Sequence, residues 1–124
     1  MTIRAKRSLK PGDIVLTDFS PVRGTEQDGR RPALVISVHE MHEITRRAII
    51  CPITRNTQPW PTKVPLPQGL AAEGAVLVDQ VRSVDRGERI LRKLGQAPDK
   101  VVQDVRFKLA ALIGIETKAV GGSS

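Results

Sequence analysis

The chain has 124 residues, 40% of them hydrophobic and 27% charged, enough for one globular domain and too few for a second full core. Its 20 lysines and arginines against 13 acids give a net charge of +7 and a pI of about 10.3, a balance that points to a polyanionic partner, most simply nucleic acid. The single cysteine, Cys51, excludes an internal disulfide and a four-thiol metal site, and no apolar stretch approaches membrane-spanning length, so a cytoplasmic protein without membrane partners is expected.

Residues 1–11 are polar and basic and read as an arm, leaving a core over about 12–114 and a flexible tail over 115–124. "GDIVLTDF" (12–19) reads as a first strand, whose consecutive Ile14, Val15 and Leu16 require burial on both faces or a barrel twist. "PALVISV" (32–38) is a second apolar strand, opened by Pro32. "HEMHEITRR" (39–47) reads as a polar connection carrying His39 and His42 as surface histidines. "AIICPIT" (48–54) is a third strand, with Cys51 buried and inert and Pro52 forcing an edge or a bulge.

Four prolines between 55 and 69 argue against a long strand there and for a loop feeding a short edge strand at Lys63 to Leu66. "GAVLVDQVRSVD" (74–85) is the clearest later strand. Its alternation sets Val76, Val78, Gln80, Arg82 and Val84 on one face and Leu77, Asp79, Val81 and Ser83 on the other. Residues 89–97 read as another strand. A helix follows, with Pro98 in its first turn, Asp99 at its positive end, and Val102, Val105, Leu109 and Leu112 on one face, until Gly114 stops it. Short strands followed by one C-terminal helix predict a mainly β fold, a small barrel-like sheet closed by that helix.

The chemistry concentrates in "RGTEQDGRRP" (23–32), which places three arginines, two acids and two glycines between apolar runs. Arg30 and Arg31 hold permanent charge in a fork that matches phosphate oxygens, and Gly24 and Gly29 allow close approach of the backbone. Glu26 either fixes an arginine or accepts a proton from a sugar hydroxyl. Arg31 abuts Pro32 at the mouth of a buried strand, the rigid placement that phosphoryl-transfer electrostatics requires. Thr54 ends the third strand, where its hydroxyl serves a phosphate oxygen or a nearby backbone group. Asp79 among aliphatic neighbours needs a partner such as an arginine if it is buried. Trp60, between Pro59 and Pro61, either stacks a nucleobase or pins its own loop. No cluster has metal-ligand spacing, and no nucleotide-binding loop or nucleophile elbow occurs, so neither metal nor cofactor is expected.

Three ordered motifs carry a resemblance. "GDIVLTDFSPVRGTEQDGRRPALVIS", "ICPIT" and "DQVRSVD" together resemble the MazF/PemK-like toxins over about residues 12–113. The resemblance implies an SH3-like β-barrel with a C-terminal helix, acting as a homodimer. It also implies a metal-independent, sequence-specific endoribonuclease in which the 2′-hydroxyl attacks the adjacent phosphate, leaving a 2′,3′-cyclic phosphate and a 5′-hydroxyl. The family's arginine before proline falls on Arg31, and its threonine or serine after the third strand falls on Thr54.

On chemical grounds Arg31 suits a stabiliser or acid, Thr54 fixes the phosphate, and Glu26 is the candidate base. Thr25, Gln27, Arg30, Arg55, Gln80 and Arg82 are the expected RNA contacts, with Asp79 as a structural or catalytic acid. One branch resembles a scheme with a histidine just before the glutamate and an arginine two residues before the Asp-Gln pair. Thr25 and Leu77 stand at those positions here. The implied partners are single-stranded RNA and an acidic antitoxin segment that masks the basic cleft. Two other functions fit such a barrel: binding DNA gyrase without catalysis, or binding RNA without cutting it.

Overall fold

The computed structural model describes residues 8–20 and 29–116. Seven strands, β1 (Asp13–Asp18), β2 (Arg30–Val35), β3 (Arg47–Thr54), β4 (Lys63–Pro65), β5 (Ala75–Leu77), β6 (Arg82–Asp85) and β7 (Ile90–Gln96), form one antiparallel sheet. Its order is β4-β5-β3-β2-β1-β7, with β6 pairing β3 beside β5. Helices α1 (His39–Thr45), α2 (Arg86–Arg89) and α3 (Asp99–Leu112) complete the described chain. The sheet does not close, since β4 and β7 stand at opposite ends of its order, and the antiparallel strands followed by one C-terminal helix are the mainly β, barrel-like arrangement expected. Two register shifts in the β1–β7 ladder, between Ile14 and Val15 and between Leu16 and Thr17, add local twist. No helix among the described residues is long and apolar enough to cross a membrane.

The continuous apolar runs are explained by two cores, one on each face. Ile14, Leu34, Ile36, Cys51 and Ile53 pack with Val101 and Val105 of α3. Their neighbours Val15, Ala33, Val35, Ala48 and Ile50 pack with Val84, Ile90 and Phe19 on the opposite face. Strands buried on both faces show no polar alternation, so their sequences read as unbroken hydrophobic stretches. Cys51 is fully buried, and desolvation pushes its thiol up to about 12.

The Gly12-Asp13 lead-in is a lock. Gly12 takes φ +95°, donates its N–H to Val35 O at 2.8 Å and accepts Ala97 N–H at 2.8 Å. Asp13, wholly buried, accepts from Lys10 N–H (2.9 Å) and Gln96 Nε2 (3.2 Å) and pairs with Lys93 Nζ (3.1 Å). The expected arm is therefore docked from Leu9 onwards, since Leu9 itself is buried in the second core.

Four sequence expectations are corrected. Residues 39–45 form α1, not an irregular connection, and His42 is 1% exposed instead of on the surface. His42 Nδ1 faces Leu9 O at 2.7 Å, a group that only accepts, so Nδ1 carries the proton and Nε2 accepts from Ser37 Oγ at 2.6 Å. β2 begins at Arg30, which puts Pro32 inside the strand and not at its start. On α3, Val101 is buried while Leu112 is largely exposed, and Pro98 is the cap residue rather than first-turn.

The fourth correction concerns 74–85, which is two strands. β5 pairs Ile53↔Val76, whereas β6 pairs Ile50↔Arg82, so three extra residues sit between the two pairings and form the 3₁₀ turn Val78–Gln80. The cause is Pro52. Ile36 N–H donates to Ile49 O at 3.0 Å, so Ile49 turns its backbone groups toward β2. Alternation then aims the nitrogen of Pro52 at the β5–β6 edge, where it has no proton to donate. The odd-numbered insertion also reverses the faces, sending Val76 and Val84 into different cores.

Candidate active site

Arg31 and Thr54 lie at the ends of the neighbouring strands β2 and β3. The β2–β3 ladder pairs Val35↔Ile50, Leu34↔Cys51 and Ala33↔Pro52; two residues beyond its last pair stand Arg31, paired with Thr17 of β1, and Thr54, paired with Ala75 of β5. Period-two alternation puts both side chains on the face of Ala33, Val35 and Ile50. Arg30, one residue earlier, points to the other face, so the two adjacent arginines diverge. Arg31 and Thr54 are each partly buried at this rim.

Thr54 is held from behind and from one side. Its Oγ1 accepts Asn56 N–H at 3.1 Å, which orients the hydroxyl and leaves its proton for an incoming oxygen. Gly74 takes φ +122°, and a Cβ there would lie 1.8 Å from Thr54 O. The backbones touch, and only glycine permits it. Sequence reading missed Gly74; its position directly before a strand was the available signal.

Beside this pair the end of β1 forms a charged wall. Phe19 N–H donates to Gly29 O at 2.8 Å, just beyond the end of the β1–β2 ladder. The Arg82 guanidinium lies 5.3 Å from the centroid of the Phe19 ring, a cation–π contact that fixes its direction. Asp18 pairs with Arg30 across the β1–β2 ladder. Its carboxyl is held below the usual range chiefly by a hydrogen bond from the Ser20 hydroxyl, then by Ser20 N–H, with Arg89 and Arg30 adding charge. Arg89 Nη1 donates to Ser20 O at 2.6 Å, and Arg47 donates from Nε to Ser83 Oγ (2.8 Å) and from Nη2 to Ser83 O (3.1 Å). Asp18, Arg47, Arg82, Ser83, Asp85 and Arg89 line a polar cleft of about 480 Å³. Phe19, Arg47 and Arg89 were not among the sequence candidates. Phe19 was legible, because it continues the alternation of Val15 and Thr17.

The remaining candidates divide clearly. Arg55, Gln80 and Arg82 are exposed on segments flanking Thr54 and the 3₁₀ turn. Thr25, Glu26 and Gln27 lie outside the described residues. Asp79 is exposed on the turn and forms no ion pair with the described residues, so the burial that would have demanded an arginine partner does not arise. Among the described residues no three His, Cys, Asp or Glu side chains converge as metal ligands.

Comparison with known proteins gives one family. Residues 10–113 match the PemK-like, MazF-like toxin of type II toxin-antitoxin system family. The chain is 34% identical over 103 residues to the endoribonuclease toxin MazF of Escherichia coli K12, covering 83% of this chain and 92% of that protein. The crystal structure of MazF from Deinococcus radiodurans superposes with a TM-score of 0.79 at 38% identity, covering 89% of this chain and all 100% of that one. A MazE–MazF complex from the same organism gives a TM-score of 0.77 at 34% identity, covering 90% and 100%. The ordered loop, third-strand and Asp-Gln motifs thus occur on the fold that such toxins adopt, and this chain belongs to the PemK-like, MazF-like toxin family.

Proposed function

We propose that this chain is the toxin of a type II toxin–antitoxin pair and cuts single-stranded RNA by attack of a 2′-hydroxyl on the adjacent phosphate. The observation that supports the mechanism is that Arg31 and Thr54 each stand two residues beyond the last β2–β3 pair, Ala33↔Pro52, on neighbouring strands. Attack puts negative charge on the phosphoryl oxygens, and the Arg31 guanidinium supplies fixed positive charge and two donors to that position. The Thr54 hydroxyl, its lone pair occupied by Asn56 N–H, donates to a second phosphate oxygen. Glu26 takes the proton from the 2′-hydroxyl, because a guanidinium stays protonated and cannot. Arg31 stabilises the charge that develops on the leaving 5′-oxygen, which takes its proton from water and departs as a hydroxyl, while Glu26 returns its proton to solvent.

Thr25, Gln27, Arg30, Arg55, Gln80 and Arg82 bind the RNA around the cut, and Asp79 borders them as an exposed acid. The working unit is a homodimer in the cytoplasm, formed by the single domain whose core spans about 12–114. An acidic antitoxin segment inhibits it by covering the RNA-binding surface of this chain, whose net charge is +7; a MazE–MazF complex is among its structural neighbours. The test is incubation of the purified protein with a long single-stranded RNA in EDTA, beside Arg31→Ala, with the fragment ends mapped. Discrete cuts ending in cyclic phosphate and lost in the variant are expected. Intact RNA with folded wild-type protein would replace catalysis by plain binding, of RNA or of gyrase.

A further inference from the structure

Trp60 is 65% exposed and is the only tryptophan in the chain. An indole that pinned its own loop would be buried against it. Other groups hold this loop instead. Lys63 Nζ donates to Asn56 O at 2.9 Å and to Gln58 O at 3.0 Å, and Asn56 Oδ1 accepts Gln58 N–H at 2.9 Å. Lys63 N–H donates to Trp60 O at 3.0 Å, and the flanking Pro59 and Pro61 fix their own φ angles. The ring therefore stands on a braced backbone with little of its surface committed.

The two ends of this span are tied to the candidate site. It starts at Thr54, whose Oγ1 accepts Asn56 N–H at 3.1 Å. It ends at Thr62, whose carbonyl accepts Val78 N–H at 3.1 Å, at the head of the turn that carries Gln80. Arg55, exposed on the same span directly after Thr54, supplies a cation for the RNA backbone.

We propose that Trp60 is a stacking platform for an unpaired base of the substrate RNA flanking the cut, and so a residue that positions the strand for cleavage. The inference rests on the ribonuclease reading above. A flat ring on a rigid loop binds any base face, and its fixed distance from Thr54 selects which position along the strand it receives.

Two measurements test it together. Cleavage of a long single-stranded RNA is followed for wild type, Trp60→Ala and Trp60→Phe. In parallel, the fluorescence of the lone tryptophan is titrated with mixed-sequence 2′-O-methyl RNA, whose blocked 2′-oxygen cannot attack. Loss of one stacked base lowers kcat/KM in Trp60→Ala by about 5- to 150-fold, with most of it restored in Trp60→Phe, and RNA quenches the wild-type emission. Full cleavage rate and unchanged cut sites in Trp60→Ala, with no quenching, overturn the proposal while leaving the ribonuclease reading intact. Quenching without any cleavage by wild type sinks the reading and with it the proposal, leaving an RNA-binding ring; absence of both sinks both and leaves no RNA site at the ring. A blue shift that grows with protein concentration before RNA is added assigns the ring to a second copy of the chain, and also overturns the proposal.

Discussion

Replacing Gly74 by alanine tests how Thr54 is positioned. The added Cβ would lie 1.8 Å from Thr54 O, 2.8 Å from Thr54 C and 3.0 Å from Arg55 Cα, all backbone atoms that cannot swing aside. Restoring the carbonyl contact to 3.0 Å requires a shift of about 1.2 Å, and the Thr54↔Ala75 pairing transmits it to the strand end. A misplacement of about 1 Å at a reacting group lowers the rate by about 100-fold. Alanine at φ +122° adds about 1–3 kcal/mol of strain, and the forced shift adds a similar amount. With an unfolding entropy of about 2.1 cal/mol/K per residue, the combined loss of about 2–6 kcal/mol lowers Tm by roughly 8–23 °C.

Gly69→Ala separates the two effects. Gly69 has φ +89° with nothing within 4 Å of the added Cβ, so strain acts there without a clash. The assay is single-turnover cleavage well below both midpoints, corrected for the folded fraction by circular dichroism. Gly74→Ala loses about two orders of magnitude in rate, while Gly69→Ala loses stability alone. A folded Gly74→Ala protein that cuts at the wild-type rate would refute the positioning of Thr54 by this contact.

Asp13→Ala removes a buried acceptor of three groups, but Lys93 can turn its ammonium to water, so the loss falls below that of a sealed ion pair. About 2–3 kcal/mol and a Tm drop of roughly 8–12 °C are expected by scanning calorimetry, with a change under about 2 °C counting against the lock. Burial holds His42 below its ordinary pKa of 6.5, the Leu9 hydrogen bond opposing. The unfolded chain therefore binds more protons than the folded one just below that pH. Stability from this group is complete above 6.5 and declines as pH falls toward the folded value. His42→Gln should flatten that decline in urea-unfolding midpoints measured between neutral pH and pH 5; an identical slope would place the dependence elsewhere.

The sequence by itself determined the strands that are buried on both faces, because runs such as "IVL", "ALVI" and "AIIC" have no other stable place in so small a domain. It also determined the C-terminal helix and its stop at Gly114, which takes φ +86°. Arg31 and Thr54 were legible as candidates, since each stands at the end of an apolar run. Only the tertiary structure decided that their strands are neighbours, because the β2–β3 register depends on pairing between distant segments. It alone split 74–85 into two strands, through a proline on the neighbouring strand that no local pattern reveals. Helix α1 was illegible for a related reason: its one buried side chain, His42, is satisfied by Leu9 and Ser37 and not by an apolar stripe. Asp79 shows the converse, an acid whose burial followed from alternation and ended when the turn carried it into solvent. Periodicity records what each residue prefers to face; which residue it faces is set by contacts that close only in the folded chain.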